Sequence, residues 1–154
     1  MRLNVRQATQ EDEVILLARS KEMIAESPRF KVADFNNKKA TAEALSVIEH
    51  GGWFIAEEDG EFVGMICGDV KAEWFGDDLM GYDLFVYVVP EHRGGLGLWL
   101  LVQEFEKWCW SRGAKSIDLG VITEIHPENT IKAYAKLGYE LKAYACNKLR
   151  PKGE

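Results

Sequence analysis

A glycine-rich turn between a strand and an amphipathic helix constrains the fold of this chain more than any other feature. The strand is predicted over residues 80–89, which are rich in β-branched and aromatic side chains. The turn follows at residues 90–97 and opens directly into a helix with an apolar stripe and a charged opposite face. The stripe consists of Leu98, Leu101, Val102, Phe105 and Trp108. A strand that leads through a tight turn into such a helix predicts a helix packed on a sheet.

The turn also has the chemistry of an anion site. Successive backbone N–H groups in a turn form a concave anion-binding surface, and the next helix adds the partial positive charge of its N-terminus. Glycines allow close approach of a phosphate, and Arg93 adds a permanent cation. The turn therefore suits a pyrophosphate, although a plain strand-to-helix turn uses glycines too. The sequence has no G-x-x-x-x-G-K-[ST] or G-x-G-x-x-G motif, which argues against P-loop and Rossmann nucleotide sites.

The order of predicted elements indicates one α+β domain over residues 1–154. A three-strand meander feeding a strand–helix–strand unit predicts a mixed central sheet with helices on its faces, in three layers. The predicted elements are a strand at 3–8, a helix capped by Thr9 with Asp12 and ended by Pro28, a helix at 38–49, strands at 53–57, 61–70 and 80–89, the helix after the turn, a strand at 116–121, a helix at 128–137 and a last strand region at 139–149.

Composition excludes several classes of function. The chain has 25 acidic and 19 basic residues and a formal net charge of -6, which argues against a general nucleic-acid binder and mildly favours a cationic partner. A local basic pocket for one anionic cofactor remains compatible with that total. Its three cysteines are widely spaced and form no Cys/His cluster, so we expect no metal and a reducing compartment. No apolar run approaches the roughly 20 residues of a membrane span, and we expect a cytoplasmic protein.

Three motifs together resemble one family. The turn and the start of its helix read Val88-Val89-Pro90-Glu91-His92-Arg93-Gly94-Gly95-Leu96-Gly97-Leu98, the helix is followed by Arg112-Gly113-Ala114-Lys115, and a later segment reads Tyr134-Ala135-Lys136-Leu137-Gly138-Tyr139. The combination resembles the GNAT superfamily of N-acyltransferases along nearly the whole chain, and in particular the small members of phages and prophages. The resemblance implies acetyl-CoA held between two splayed parallel strands, here residues 80–89 and 116–121.

The resemblance also implies which residues bind the cofactor. Backbone groups near Val88 and Val89 would pair with the pantetheine amides, and one N–H would polarise the thioester carbonyl. The N–H groups of Arg93, Gly94, Gly95, Leu96, Gly97 and Leu98 would hold the pyrophosphate. Two leucines, Leu96 and Leu98, stand where the family pattern has glycines. Pro127 replaces the usual asparagine, and Asn129 is its nearest substitute.

Three side chains are candidates for proton transfer or acceptor contact. Tyr134 matches the tyrosine that commonly protonates the departing thiolate in this family, although a tyrosine on a helix is often only a core residue. Asp83, on the strand entering the cofactor site, could act as the base for the acceptor amine or be an exposed edge charge. Glu26 precedes the connection that shapes the acceptor pocket in this family, or it is an ordinary helix-end charge.

The sequence thus predicts an acetyl-CoA-dependent N-acetyltransferase that acts on a primary amine of a small molecule or a protein by direct attack. One alternative is a non-catalytic module on the same fold that binds CoA or a partner, suggested by the two leucines. Another is a phage-type acyltransferase that modifies nucleic acid, against which the net charge counts. Trp74 and Phe75 could line the acceptor pocket or a homodimer surface, or simply pack in their loop.

Overall fold

A computed structural model describes residues 2–153. Within these residues, four helices and five strands follow nearly the order that the hydrophobic pattern predicts. In chain order they are β1 (Leu3–Gln7), α1 (Glu13–Glu26), α2 (Asn37–His50), β2 (Trp53–Glu58), β3 (Glu61–Ala72), β4 (Leu79–Val88), α3 (Gly97–Ser111), β5 (Ser116–Asp118) and α4 (Pro127–Lys136). A short 3-10 turn precedes α1, and there the backbone N–H of Thr9 donates to Asp12 Oδ2 at 2.7 Å, as expected from the predicted cap.

The five strands form one mixed sheet in the order β1-β2-β3-β4-β5. The first three pairings are antiparallel, and β4 pairs with β5 in parallel through the crossover helix α3. Strands β2, β3 and β4 follow one another directly, whereas α1 and α2 lie between β1 and β2. The predicted fold class, an α+β domain with a mixed sheet flanked by helices, is confirmed.

Two hydrophobic cores lie on opposite faces of this sheet. Strand residues alternate between the faces, so Trp53 and Ile55 join α1 and α2 in one core, whereas Phe54 and Ala56 join α3 and α4 in the other. The second core includes Phe105, which is fully buried and lies edge-on to Phe54 at 6.4 Å between ring centroids. The sheet is therefore covered on both faces.

Strands β4 and β5 separate soon after they meet. They pair over only three positions, from Met80 opposite Ser116 to Tyr82 opposite Asp118. Helix α3 approaches this pairing closely because Gly81 has no side chain: a Cβ there would lie 2.7 Å from Cys109 Sγ. The predicted strand 116–121 is thus shorter than expected, since its second half leaves the sheet and opens a gap beside β4.

The predicted last strand at residues 139–149 is wrong. Residues 140–150 are exposed and have no strand assignment after the left-handed turn at Gly138. Alternating apolar residues favour a strand, but a strand also needs a neighbour for its backbone groups, and none is present in the described chain. The sequence pattern shows the alternating apolar residues, but it does not show whether a neighbouring strand is available.

Candidate active site

The gap between β4 and β5 widens into a cleft of about 580 Å³, a size typical of small-molecule sites. The second half of β4 forms one wall, and residues 120–126, after β5, form the other. The glycine turn and the first residues of α3 close one end, and one face of α4 lines the remaining side. The cleft therefore lies at the carboxyl ends of the two parallel strands, where sheets of this type commonly bind ligands.

The glycine turn borders this cleft, and within the turn the Gly95 N–H donates to the His92 carbonyl at 3.4 Å. Gly94, with φ of +86°, adopts the left-handed conformation that glycine tolerates best, and it lines the cleft together with Gly95 and Leu98. The first N–H groups of a helix have no intrahelical partner, and Leu96, at the N-cap of α3, has no side-chain group to satisfy them. The N-terminus of this 15-residue helix is therefore open to an anion.

The Arg93 side chain is paired with Glu26 at the end of α1 and does not point freely into the cleft. Its Nη1 and Nη2 donate to the two carboxylate oxygens of Glu26 at 2.6 and 2.7 Å, in a bidentate pair. Its Nε donates to the Val88 carbonyl at 2.9 Å, and its guanidinium lies 5.7 Å from the Tyr87 ring centroid. The hydrogen bonds from Arg93 hold the pKa of Glu26 below its ordinary value, so Glu26 stays ionised and paired.

The backbone at Val88 offers a donor to the cleft. The N–H of Val89 donates to the Val63 carbonyl in β3 at 2.9 Å, so the carbonyl of the same peptide faces away from β3. In a strand, the N–H and the carbonyl of one residue point to the same side. The N–H and the carbonyl of Val88 therefore both point away from β3, toward the cleft. Because Arg93 occupies that carbonyl, Val88 has only its N–H for a ligand.

The walls of the cleft are basic although the molecule is acidic. The lining includes Arg93, Lys132 and Lys136 together with His92 and His126, and no Asp or Glu is found among the described lining residues. Lys132 and Lys136 are four residues apart and so share one face of α4. This surface favours a ligand with several negative charges.

Two ionisable side chains meet at Gly120. Asp83 Oδ1 accepts a hydrogen bond from Gly120 N–H at 2.9 Å, and the Tyr134 hydroxyl donates to the Gly120 carbonyl at 3.4 Å. The other Asp83 oxygen, Oδ2, is shielded from solvent without a partner among the described residues, and burial raises the pKa of Asp83 to about 6. Burial also raises the pKa of Tyr134 well above that of a free tyrosine, with the Asp83 charge adding to the effect.

The wall after β5 is held in an unusual backbone conformation. Glu124 and His126 have positive φ values of 57° and 45°, in the left-handed region that side chains disfavour. Ser27, which is fully buried at the end of α1, donates from its hydroxyl to the Thr123 carbonyl at 2.5 Å. This hydrogen bond therefore links the end of α1 to the wall after β5.

The structure brings most of the sequence-predicted residues to the cleft and leaves others outside it. The predicted residues that line it are Val88, Arg93, Gly94, Gly95, Leu98, Asn129 and Tyr134. Val89 is buried in the core, Gly97 is buried against Val63, and Leu96 is exposed away from the cleft. Asp83 lies behind the lining, at Gly120, and Glu26 contacts the cleft only through Arg93.

Sequence reasoning missed Phe85, Trp99, Thr123, Lys132 and Lys136, all of which line the cleft. Only the lysine pair carried a usable signal, the spacing of four residues on a predicted helix that also holds Tyr134. Within residues 2–153, no three His, Cys, Asp or Glu side chains converge as a metal site would need. Among the described helices, none is both long and apolar enough to cross a membrane.

Comparison with solved structures identifies proteins of the same fold. An aminoglycoside acetyltransferase from an uncultured soil metagenomic sample superimposes with a TM-score of 0.72 at 21% identity, covering 98% of this chain and 100% of that one. AAC(6')-Iy in complex with a bisubstrate analogue, CoA-S-monomethyl-acetylneamine, gives a TM-score of 0.75 at 16% identity, with 98% and 99% covered. A putative acetyl transferase from Pyrococcus furiosus gives 0.65 at 21%, with 97% and 100% covered.

Comparison with curated proteins finds no significant match. The sequence itself matches one family description, "Acetyltransferase (GNAT) family", over residues 18–139, well over half of its length. That span runs from α1 through the cleft to the motif at Tyr134. The chain therefore belongs to the GNAT family of acetyltransferases.

Proposed function

We propose that this enzyme transfers an acetyl group from acetyl-CoA to a primary amine of a small cationic molecule. The observation that carries the proposal is the basic lining of the cleft in a protein whose net charge is -6. A diphosphate with a further phosphate is a polyanion, and the two lysines of the lining, Lys132 and Lys136, are suited to it. AAC(6')-Iy, which has the same fold and is known in complex with CoA and with a CoA-linked analogue, supports the same ligand.

The residues present fit the phosphate end of CoA. The open N-terminus of α3 and the amides of the glycine turn would receive the pyrophosphate, and Gly94 leaves room for it. Lys132 and Lys136 line the neighbouring wall and would face a terminal phosphate. Arg93 contributes less charge than its position suggests because Glu26 neutralises it. Its role in this proposal is to fix the turn and the Val88 carbonyl.

The residues beside β4 and β5 fit the chemical step. The bound thioester supplies an activated acyl group. Val88 N–H would donate to its carbonyl oxygen and stabilise the charge that develops there. Tyr134, protonated because of its burial, would donate to the departing sulfur. Asp83 does not line the cleft, so it would receive the amine proton through water rather than by contact.

The acceptor is proposed from charge and from the comparisons together. An overall acidic surface attracts cations, and a primary amine with neighbouring positive charges would approach the cleft from outside its basic lining. Two of the compared proteins, the one from the soil metagenomic sample and AAC(6')-Iy, are named aminoglycoside acetyltransferases. We therefore place small polyamino compounds ahead of protein lysines as acceptors.

The alternative of a non-catalytic module loses its main support. That support is the pair of leucines in the turn, but Leu96 is 67% exposed and leaves the cleft open, while Leu98 forms part of its wall. Neither leucine closes the place where the turn amides face the cleft.

The test measures binding and turnover separately. Isothermal titration with acetyl-CoA, 3′-dephospho-CoA and NAD should show binding that weakens in that order. Thiol release should then depend on both acetyl-CoA and an added amine, screened with neamine, spermidine and a lysine peptide. Binding without thiol release for any amine would favour the module, and absence of acetyl-CoA binding would contradict the proposal as a whole.

A charge variant locates the site. Lys132→Gln with Lys136→Gln should raise the Kd for acetyl-CoA by about 10-fold, because removing each ammonium group should weaken phosphate binding by about 0.7 kcal/mol. Lys142→Gln, which removes an exposed lysine outside the cleft, is the matched control and should leave the Kd unchanged. An equal effect of both changes would assign the binding to general charge rather than to this cleft.

A further inference from the structure

The end of helix α1 carries a carboxylate in an electrostatically unfavourable place. Glu26 is the last residue of α1, and the last turn of that helix contains no basic residue. A negative side chain at a helix C-terminus is repelled by the partial negative charge of the helix end. Glu26 therefore depends on a cation from another part of the fold, and Arg93 in the glycine turn supplies it, at Nη–Oε distances of 2.6 and 2.7 Å.

Most of the hydrogen-bonding capacity of Arg93 is used within the protein. A guanidinium has five N–H donors. Three of those in Arg93 are occupied, two by the Glu26 carboxylate and one by the Val88 carbonyl. The hydrogen bonds from Arg93 hold the pKa of Glu26 below its ordinary value, so Glu26 is ionised and the pair has no net charge. The permanent cation of the glycine turn is thus neutralised before any ligand binds.

The backbone that carries Glu26 is held in place. Ser27, the next residue, is fully buried, and its hydroxyl donates to the Thr123 carbonyl. The backbone N–H of Ser27 donates to the Met23 carbonyl at 3.0 Å, which closes the last turn of α1. Glu26 itself is not among the described residues that line the cleft, whereas Arg93 is. A guanidinium that moved toward a phosphate would therefore give up this ion pair, because its partner is fixed.

We propose that Glu26 is a positioning residue that holds the Arg93 guanidinium back from the donor phosphates, and so limits how tightly the cleft retains CoA. The proposal rests on the proposed function, because it takes CoA as the ligand. Tighter binding of the donor and of the CoA product alike would not speed the chemical step, and it would slow the release of CoA. Lys132 and Lys136 would supply the charge that captures the donor, and Glu26 would keep the departure of the product fast.

The first test is the affinity for CoA, measured by isothermal titration at low salt. Glu26→Gln keeps the size of the side chain and one hydrogen-bond acceptor but removes its charge, which leaves the charge of Arg93 available to the phosphates. The Kd for CoA should fall by about 3- to 10-fold. A purely structural link between α1 and the turn would give the opposite sign, because a loosened turn binds more weakly. An unchanged or raised Kd would overturn the proposal.

Two controls separate this pair from general charge. Glu22→Gln removes the same charge from the same helix one turn earlier, where Glu22 is exposed and pairs with Arg19 at 2.9 Å. It should change the Kd for CoA by less than about 2-fold. In an Arg93→Gln background, Glu26→Gln should also change the Kd by less than about 2-fold, because Glu26 acts through Arg93. The full tightening in either control would contradict the role assigned to the pair.

The rate of CoA release tests the consequence directly. Stopped-flow measurement should show that CoA dissociates from Glu26→Gln about 3- to 10-fold more slowly than from the parent, since affinity changes within one site mostly alter dissociation. Thermal unfolding by circular dichroism checks that the variant is folded. Glu26→Ala removes the same charge and serves as the second variant if Glu26→Gln does not unfold cooperatively. An unchanged dissociation rate in a folded variant would overturn the proposal.

The outcomes distinguish this proposal from the proposed function. A parent chain that does not bind CoA would contradict both. A parent that binds CoA, together with a folded Glu26 variant that binds CoA no more tightly, would contradict only the role of Glu26.

Discussion

At the scale of single residues, both backbone groups of Gly120 are hydrogen-bonded to side chains. Its N–H donates to Asp83, and its carbonyl accepts from Tyr134. Burial raises the pKa of both side chains and so favours their neutral forms. A tyrosine in such a place holds its proton throughout the neutral range. Full transfer to a thiolate, whose ordinary pKa is about 8.5, would be uphill, so hydrogen bonding to the sulfur is its larger contribution.

We expect Tyr134→Phe to lower kcat by about 10- to 100-fold, at the low end of general-acid effects, because only the hydroxyl is removed. The Kd for acetyl-CoA should change by less than about 2-fold, since the ring still fills the same wall. Steady-state kinetics and titration separate the two quantities. Tyr144→Phe, an exposed tyrosine outside the cleft, is the control. An unchanged kcat would remove Tyr134 from the chemical step.

Asp83 provides a prediction of stability against pH. Its pKa of about 6 lies above the ordinary 3.8, so the folded protein binds this proton more tightly than the unfolded chain does. The free energy of unfolding therefore falls as pH rises from about 4 to about 6, and stays level above that for this group. Asp83→Asn has no such loss and should be more stable than the parent by about 1–3 kcal/mol at neutral pH.

The measurement for Asp83→Asn is the urea midpoint across that pH range. The difference from the parent should be near zero at about pH 4 and reach its full size by about pH 7. Asp118→Asn, on the exposed side of β5, serves as the control. A difference for Asp83→Asn that did not vary with pH would show that burial of the charge is not its cause.

At the scale of elements, two of the three non-glycine residues with positive φ in the described chain lie between β5 and α4, and the third, Asp59, lies in the turn between β2 and β3. Glu124 is exposed and has a φ of 57°, so its side chain contributes little while its backbone is strained. Glu124→Gly should leave the free energy of unfolding unchanged or raise it by up to about 1 kcal/mol. Glu124→Val should lower it by about 1–2 kcal/mol, because a branched side chain fits this conformation worse. Urea unfolding of both variants checks the pair, and similar values for the two would contradict the strain.

Most elements could be predicted because their signals are local. The stripe on α3, the hairpin between β2 and β3 and the glycine that ends α2 depend on residues within one or two turns of each other. Two strand predictions failed for the same reason, since β5 is shorter than predicted and residues 139–149 form no strand. A stretch with an alternating pattern forms a strand only when another strand is available to pair with it. The local pattern does not show whether such a partner exists.

At the scale of the whole molecule, the parts of the candidate site that are adjacent in the sequence could be predicted. The parts that the fold brings together from distant positions could not. Arg93, Gly94 and Leu98 lie together in the chain, and their turn could be interpreted directly. Glu26 and Arg93 are 67 positions apart, and only the fold reveals that they form a pair. The basic character of the cleft was hidden for a related reason: total charge reports the sum over the surface and not its distribution.

That distribution has a consequence for rates. A polyanionic ligand that approaches the molecule is repelled by the net charge of -6, an effect that physiological salt screens beyond roughly 8 Å, and inside the cleft it meets the cations of the lining. Added salt weakens both effects. It reduces the repulsion of the ligand by the net charge during approach, and it reduces the attraction between the bound ligand and the cations of the cleft. Encounter and residence should therefore respond to ionic strength in opposite directions, with capture becoming quicker and the bound complex becoming shorter-lived.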